Sequence, residues 1–155
     1  MTGYDALGRR TSETDQSGRT TGFGYDSLGR LTSVTDALNQ VTSYSYDEVG
    51  NRTSQKDANL HETRFEYDKL SRETKRILSG GAFETKTYDA AGNLQTRTDF
   101  MGRTTTYDYD ENNRLLSRSY PDSAQNVAFT YTPTGRRLTA TDARGATGYG
   151  TAWPA

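Results

Sequence analysis

Short segments of alternating polar and apolar residues recur along the chain, and each segment ends in a turn signal. Segments 31–35 (LTSVT) and 41–46 (VTSYSY) are typical. They are rich in β-branched and aromatic residues, which favour strands, and a period of two places the rings of Tyr44 and Tyr46 on one face. Gly or Asp interrupts every window of about ten residues, so no helical period survives. The pattern therefore predicts an all-β chain of short antiparallel strands.

A tyrosine recurs at a fixed interval through most of the chain. Tyrosines at 4, 25, 46, 67, 88 and 109 are 21 residues apart, and the next follows after 22 residues, at 131. Self-similarity at a fixed period is typical of a repeat architecture, so we predict about seven copies of one structural unit. Six of the seven tyrosines are followed by aspartate, and the last by Thr132. These residues are Tyr4 and Asp5, Tyr25 and Asp26, Tyr46 and Asp47, Tyr67 and Asp68, Tyr88 and Asp89, Tyr109 and Asp110, and Tyr131.

Two turn signals divide each repeat into a pair of strands. The first, the tyrosine turn, begins at the Asp of the Tyr-Asp pair, and the other, the second turn, begins roughly ten residues later. Asp at the first position accepts backbone N–H groups, and Gly at the fourth tolerates a positive φ. Each repeat is therefore predicted to be a β-hairpin in which Tyr, Asp and Gly are structural. The tyrosine-turn glycines are Gly8, Gly29, Gly50, Gly92 and Gly135, with Ser71 and Asn113 at the equivalent positions of the other two repeats.

Composition excludes a large aliphatic core. The chain has 155 residues, of which Leu, Ile, Val and Phe make up about 14%. Cross-strand ladders of Tyr, of Thr and of Arg with Asp are expected to stabilise the sheet instead, with the ion pairs in rows along it. About fourteen strands would form a single twisted and curved sheet with a polar inner face.

Charge and composition also exclude several function classes. A formal net charge of −1 gives no basic face for nucleic acid. The absence of cysteine excludes a disulfide framework, and no apolar run is long enough to span a membrane. No residues with the spacing of a metal or cofactor site stand out, so we expect no cofactor, no metal and no catalytic residue.

The motif Tyr-Asp-x-x-Gly-Arg-Leu-Thr, as in residues 25–32, followed by Thr-Asp and an aromatic-x-Tyr-Asp, resembles the Rhs or YD repeat. That family includes bacterial Rhs polymorphic toxins, the C-component of insecticidal toxin complexes, wall-associated toxins and the teneurins. The resemblance implies a spiral β-sheet that closes into a hollow shell around a toxin domain. It also implies flanking YD repeats or that toxin domain as partners, and a secreted or cell-surface-delivered protein.

The chain departs from the family in size. Family shells use many more than seven repeats, and bacterial members end in a Pro-, Gly- and Asp-rich segment with an aspartyl protease, which has no counterpart here. We expect an array over residues 1–150 and a tail over 151–155, where Trp153 is a cap or a tail residue. A stretch of shell wall with open edges is expected to associate edge to edge.

Other functions remain open at this stage. Exposed tyrosine rows offer a carbohydrate- or receptor-binding surface for adhesion, and an enzyme fragment is the remaining alternative. His61 has Ser and Asp nearby, and Asp108 begins a partial calcium-loop pattern, but both are better explained as turn residues. Two repeats are candidates for irregular loops or a bend: one has Leu78 and Lys86 in place of Asp and a ring, and the other has an extra residue near Tyr120, which a β-bulge would accommodate.

Overall fold

The computed structural model describes residues 1–149, which are almost entirely β-strand and turn. The predicted tail, including Trp153, lies outside the described residues. The elements are β1 (Thr2–Tyr4), β2 (Arg10–Thr14), β3 (Thr20–Tyr25), β4 (Leu31–Thr35), β5 (Val41–Tyr46), β6 (Arg52–Lys56), β7 (Glu62–Tyr67), β8 (Glu73–Ile77), β9 (Phe83–Tyr88), β10 (Leu94–Thr98), β11 (Thr104–Tyr109), β12 (Leu115–Ser119), a 3-10 turn (Ser123–Gln125), β13 (Val127–Tyr131), β14 (Arg137–Asp142) and β15 (Gly145–Gly148).

The strands form antiparallel meanders in two compact units. The first unit, Met1–Ala82, contains β1–β8, and the second, which begins at Phe83, contains β9–β15. Within each unit every strand pairs antiparallel with the next strand in sequence. The predicted all-β array of hairpins is confirmed. The tyrosine of each Tyr-Asp pair is the last residue of a strand, and the aspartate begins the turn that follows.

Both kinds of turn close through the same two backbone bonds. In the tyrosine turn after β3, Asp26 N–H donates to the carbonyl of Arg30 at 3.0 Å, and Gly29 N–H donates to that of Asp26 at 3.0 Å. Gly29 has a φ of 81°, in the left-handed region that glycine enters without a steric penalty. The predicted turn chemistry is thus confirmed. Four other residues take a left-handed φ without being glycine, namely Asn39, Leu60, Ser71 and Asn113.

A β-bulge accompanies each tyrosine turn, and the sequence pattern did not predict it. Gly24 pairs with Ser33 but the next residue, Tyr25, pairs with Leu31, so that Thr32 is skipped. A register shift of this kind recurs at or beside every repeat tyrosine of β1, β3, β5, β7, β9, β11 and β13. A bulge bends its strand and increases the local twist. The bulge is therefore a regular part of the repeat rather than an exception in one copy.

Residues 1–149 contain no buried hydrophobic side chain, as the composition predicts. Glu84, 2% exposed, is their one buried polar residue. Cross-strand pairs stabilise the sheet instead: the hydroxyls of Thr87 and Thr96 are 2.6 Å apart, and those of Thr130 and Thr139 are 2.7 Å apart. Each such pair contributes about 0.2–1 kcal/mol, so stability is spread over many small contacts.

The two repeats expected to be irregular behave differently. Leu78 begins a regular second turn, because its N–H still donates to Ala82 at 2.8 Å and Gly81 still adopts a φ of 84°. Leu78 therefore lies in a regular turn, and the bend expected of this repeat stays a prediction. The extra residue of the repeat from Tyr109 to Tyr131 is not absorbed by a bulge either. Instead, residues 120–126 form a longer loop around the 3-10 turn, which is the sole helical element among residues 1–149 and far too short to cross a membrane.

Candidate functional site

The aspartate of a tyrosine turn holds the turn closed with both of its carboxylate oxygens. Oδ1 of Asp26 accepts the N–H groups of Leu28 and Arg30, at 3.0 and 2.9 Å. Its Oδ2 accepts Nε–H of Arg30 at 2.7 Å. The backbone N–H and then the guanidinium of Arg30 favour the charged carboxylate, which lowers the pKa of Asp26. The turns that begin at Asp5, Asp68 and Asp110 contain the same contacts.

The arginine of one tyrosine turn also contacts the following repeat. Nη1 of Arg30 donates to the backbone carbonyl of Asp47 at 2.7 Å, and the guanidinium lies 4.9 Å from the ring centroid of Tyr46. Arg9 and Arg114 make the equivalent contacts with the repeats that follow them. Because Arg presents several donors in a rigid planar fork, one side chain serves its own turn and the next one.

The tyrosine hydroxyl donates a hydrogen bond to the preceding repeat. Tyr46 donates to the carbonyl of Leu31 at 2.8 Å, and Leu31 is the residue paired with Tyr25 at the bulge of that repeat. Tyr25, Tyr67 and Tyr131 donate to the equivalent carbonyls. We call the contacts of Arg30 and Leu31 with Tyr46 and Asp47, and their equivalents in other repeats, the repeat clamp. The sequence offered one signal for it, the arginine that recurs directly before a strand.

Two repeats use asparagine in place of this arginine. Nδ2 of Asn51 donates to Oδ2 of Asp47 at 2.8 Å, so the bond within the turn is retained. Nδ2 of Asn93 donates to Asp89 at 3.0 Å and also to Oδ1 of Asn113, in the next repeat, at 2.8 Å. The shorter amide thus supplies the bond within the turn, and in one case a different link between repeats.

The ion pairs do not form the rows along the sheet that the sequence suggested. Arginine and aspartate pair within one turn, at a separation of four residues, as in Arg30 with Asp26 and Arg114 with Asp110. This arrangement arises because each carboxylate points back over its own turn. The guanidinium then reaches the next repeat through a backbone carbonyl rather than through a second carboxylate.

All the predicted structural residues occupy equivalent positions in their repeats. The six aspartates each begin a tyrosine turn, and the tyrosines end the strands before those turns. The turn glycines have a positive φ, at Gly8, Gly29, Gly50, Gly92 and Gly135. These positions are copies of one turn. They are spread over the repeats and do not form the single cluster of groups that a catalytic site requires.

Of the residues considered for catalysis or metal binding, His61 lies in a turn, whereas Asp108 lies in β11, just before the turn that begins at Asp110, so the turn expected for Asp108 is wrong. The backbone N–H of His61 donates to Asp57 at 2.9 Å, and its Nδ1 lies 3.2 Å from the same carboxylate, so His61 takes the place that Arg19 and Arg103 have in other second turns. The carboxylate of Asp108 accepts the hydroxyl of Ser117 at 2.6 Å. Within residues 1–149, no three His, Asp or Glu side chains are grouped as a metal site would require.

The repeat tyrosines are not open stacking platforms. Tyr25, Tyr46 and Tyr131 are half-buried, each has an arginine over its ring, and each hydroxyl is bonded to a backbone carbonyl. Among the described tyrosines, Tyr4 and Tyr149 are the exposed ones, at 64% and 49%. The structure therefore gives no support to carbohydrate binding by exposed tyrosine ladders.

Comparison with known proteins points to one family. The family model described as RHS Repeat matches residues 4–38, 25–61 and 88–125. A comparison with curated proteins gives no match.

Solved structures share the fold. A TcdB2-TccC3-TEV crystal structure is similar, with 16% sequence identity and a TM-score of 0.59, over 92% of this chain and 11% of that one. A Photorhabdus luminescens Tc holotoxin pore is similar at the same identity and coverage, with a TM-score of 0.53. The chain therefore spans about a tenth of the length of these structures.

Proposed function

The chain belongs to the RHS repeat family, and from this premise we propose that it is a structural module: a stretch of the wall of a larger shell that encloses a toxin domain. The observation that carries the proposal is the repeat clamp. Its Arg and Tyr side chains join one hairpin to the next, as Arg30 and Tyr46 do, and asparagine replaces the arginine in two repeats. A wall needs contacts that recur between successive repeats, whereas an active site needs one cluster of catalytic residues.

The polar character of the sheet supports the same proposal. Arrays of this kind are stabilised by contacts between nearest neighbours, so they grow by adding repeats rather than by enlarging a core. A wall that surrounds a cargo has to be extended and thin, and an array with no buried hydrophobic side chain in residues 1–149 meets that need. We propose flanking RHS repeats and an enclosed toxin domain as partners, in a secreted or delivered protein without catalytic activity in this segment.

The proposal is tested on the full-length product of the gene that contains this chain. Limited proteolysis of the wild type should leave the wall and the enclosed segment intact under conditions that digest an unfolded chain. Tyr46→Phe combined with Arg30→Ala should open the wall and expose the enclosed segment first, because both changes act on one clamp. Cleavage of that segment at equal rates in wild type and variant would contradict enclosure.

The outer edge of β1 is the surface through which we propose that flanking repeats join. This strand pairs with β2 on one side, and unpaired strand edges bind further strands. The isolated chain should therefore self-associate edge to edge, and sedimentation velocity should show species larger than a 17.2 kDa monomer. A concentration-independent monomer would contradict this part of the proposal.

A further inference from the structure

Strand pairing covers only half of a regular junction between neighbouring hairpins. A junction joins the second strand of one hairpin to the first strand of the next, across a second turn. Residues 33–35 of β4 pair with β5, and residues 96–98 of β10 pair with β11, and in both cases these are the three residues next to the second turn. The junctions between β2 and β3 and between β6 and β7 pair in the same way. The half of a junction that lies beside the tyrosine turns therefore depends on the repeat clamp.

The turn arginine of one repeat occurs together with a glycine at the fourth position of the next tyrosine turn. Where asparagine replaces the arginine, at Asn51 and Asn93, the next turn has Ser71 or Asn113 in place of glycine. This relationship holds for every successive pair of tyrosine turns. In order, the pairs are Arg9 with Gly29, Arg30 with Gly50, Asn51 with Ser71, Arg72 with Gly92, Asn93 with Asn113, and Arg114 with Gly135. The two positions therefore change together, as the two sides of one contact would.

The side chains at these two positions share one space. A Cβ added at Gly29 would lie 3.7 Å from Nη1 of Arg9, which is van der Waals contact, whereas at Gly50 it would meet open space. A Cβ alone fits, but the polar head of a longer side chain has to share the space with the guanidinium. Where the fourth residue is Asn113, its Oδ1 accepts a hydrogen bond from Nδ2 of Asn93 at 2.8 Å. An amide bond between side chains thus replaces the guanidinium contact in this copy.

The junction between β10 and β11, which we call the asparagine junction, has neither half of the clamp. The hydroxyl of Tyr109 forms no hydrogen bond within residues 1–149, although the carbonyl of Leu94 is the equivalent of the Leu31 carbonyl. No arginine of the same residues lies over the Tyr109 ring. The other asparagine copy keeps one half, because Tyr67 donates to the carbonyl of Arg52 at 3.0 Å. The asparagine junction is therefore less clamped than the junction between β6 and β7, and less than that between β4 and β5.

The other end of the asparagine junction is held by several bonds. Nε of Arg103 donates to Oδ2 of Asp99 at 2.8 Å across the second turn, and the hydroxyls of Thr98 and Thr104 are 2.8 Å apart. At the tyrosine-turn end, the bond between the two asparagines is the one side-chain hydrogen bond that crosses the junction within residues 1–149. The junction is thus fixed at one end and weakly held at the other.

We propose that the asparagine junction is a hinge of the array: the tyrosine turns on its two sides, which begin at Asp89 and Asp110, move apart while the second turn at Asp99 keeps the hairpins connected. In a repeat array each hairpin contacts only its neighbours, so the most weakly held interface opens first. Opening there changes the curvature of the sheet at one place and leaves the hairpins on either side intact. The inference goes beyond the wall function, because it concerns this chain alone and does not depend on an enclosed toxin domain.

Spin labels on the 155-residue chain measure the separation of the tyrosine turns. The chain has no cysteine, so Ala91→Cys with Asn112→Cys places the only two labels on the two sides of the hinge. Leu28→Cys with Val49→Cys is the matched pair across β4 and β5, since all four residues are exposed and hold the third position of their turns. Neighbouring turns lie roughly 10 Å apart, at twice the strand spacing, and dipolar broadening in frozen solution reports such distances. An excess of unlabelled chain removes broadening between chains.

The hinge predicts that the fraction of separated labels is at least about tenfold larger across the asparagine junction than in the matched pair, because opening it breaks fewer hydrogen bonds. Asn93→Arg combined with Asn113→Gly should build a clamp and bring the label distances to those of the matched pair. Tyr109→Phe should leave the urea midpoint of unfolding unchanged, whereas Tyr46→Phe lowers it, since only the Tyr46 hydroxyl is bonded. Equal separation in both labelled pairs, no response to the double substitution, or an equal loss of stability in the two phenylalanine variants would overturn the proposal.

Discussion

The hydroxyl of Tyr46 donates a 2.8 Å hydrogen bond to the backbone carbonyl of Leu31, fifteen residues earlier and in the preceding repeat. Leu31 lies at the β-bulge, where the register between β3 and β4 shifts and the regular ladder is interrupted. The tyrosine therefore satisfies a carbonyl at the irregular point of the neighbouring hairpin. Tyr25, Tyr67 and Tyr131 form the equivalent bond, which explains why tyrosine rather than phenylalanine ends these four strands.

Removing that hydroxyl alone should destabilise the protein measurably. Tyr46→Phe keeps the ring under Arg30 but leaves the Leu31 carbonyl without its donor, which should lower the free energy of unfolding by about 1 kcal/mol. Urea unfolding followed by circular dichroism measures the change. The control is Tyr44→Phe, since the hydroxyl of Tyr44 forms no hydrogen bond within residues 1–149. Equal effects of the two substitutions would contradict the clamp.

Replacing the turn arginine by lysine should also be costly, although the charge is retained. Lysine cannot bond to Asp26, donate to the Asp47 carbonyl and stack over Tyr46 at the same time, so Arg30→Lys should lower the free energy of unfolding by about 1–2 kcal/mol. Arg19 is the matched control, because its Nε lies 3.8 Å from Asp15 and its side chain is 74% exposed. Arg19→Lys should change stability by less than about 0.5 kcal/mol in the same assay.

At turn positions with a left-handed φ, introducing a glycine and removing one should change stability in opposite directions. Leu60 has a φ of 67°, so Leu60→Gly should stabilise the protein by about 0.5–1 kcal/mol. Gly29 has a φ of 81°, and Gly29→Ala should cost about 1 kcal/mol, although the nearest atom to an added Cβ is 3.7 Å away. Gly80→Ala meets open space and has no positive φ, which makes it the control for thermal melting. A destabilised Leu60→Gly variant would show that this side chain has a packing role.

The turn aspartates predict loss of stability in acid. The pKa values of Asp5, Asp26 and Asp110 are lowered, mainly because backbone N–H groups of the turn arginines donate to the charged carboxylates. A group with a lowered pKa stabilises the folded state above its unfolded pKa, and the contribution is lost as the pH falls through the folded pKa. Unfolding midpoints should therefore be flat between about pH 7 and 5 and fall below about pH 4. Greater stability at about pH 3 than at about pH 6 would contradict this mechanism.

Much of the fold could be predicted from the sequence, because the period of the tyrosines and the Asp-x-x-Gly turns are local signals. The hydrogen bonds of Asp26 and the positive φ of Gly29 involve only residues within five positions, so the local sequence pattern is enough to predict them. The clamp could not be predicted in the same way, because the partner of the Tyr46 hydroxyl is a backbone carbonyl fifteen residues away, whose availability depends on the bulge. Every residue has a backbone carbonyl, so a sequence motif cannot show which carbonyl accepts the hydrogen bond.

The shape of the loop at residues 120–126 was likewise only partly predictable. The sequence marks the extra residue beside Tyr120, but a bulge and a longer loop are both compatible with one added residue. The outcome depends on the side chain of Asn126, which accepts the N–H of Tyr120 across the loop, and on Asp122, which caps the 3-10 turn. These contacts join residues that are close only after the loop has formed.

A double-mutant cycle between Arg30 and Tyr46 tests the central claim most directly, namely that the turn arginine of one repeat and the tyrosine of the following one lock their two hairpins together. The free energy of unfolding is measured for Arg30→Ala, Tyr46→Leu and the double variant, and again with Arg9→Ala, whose guanidinium lies over Tyr25 instead. The clamp predicts a coupling energy of about 0.5 kcal/mol or more for Arg30 with Tyr46, and additive effects for Arg9 with Tyr46. Additive effects in both cycles would contradict it.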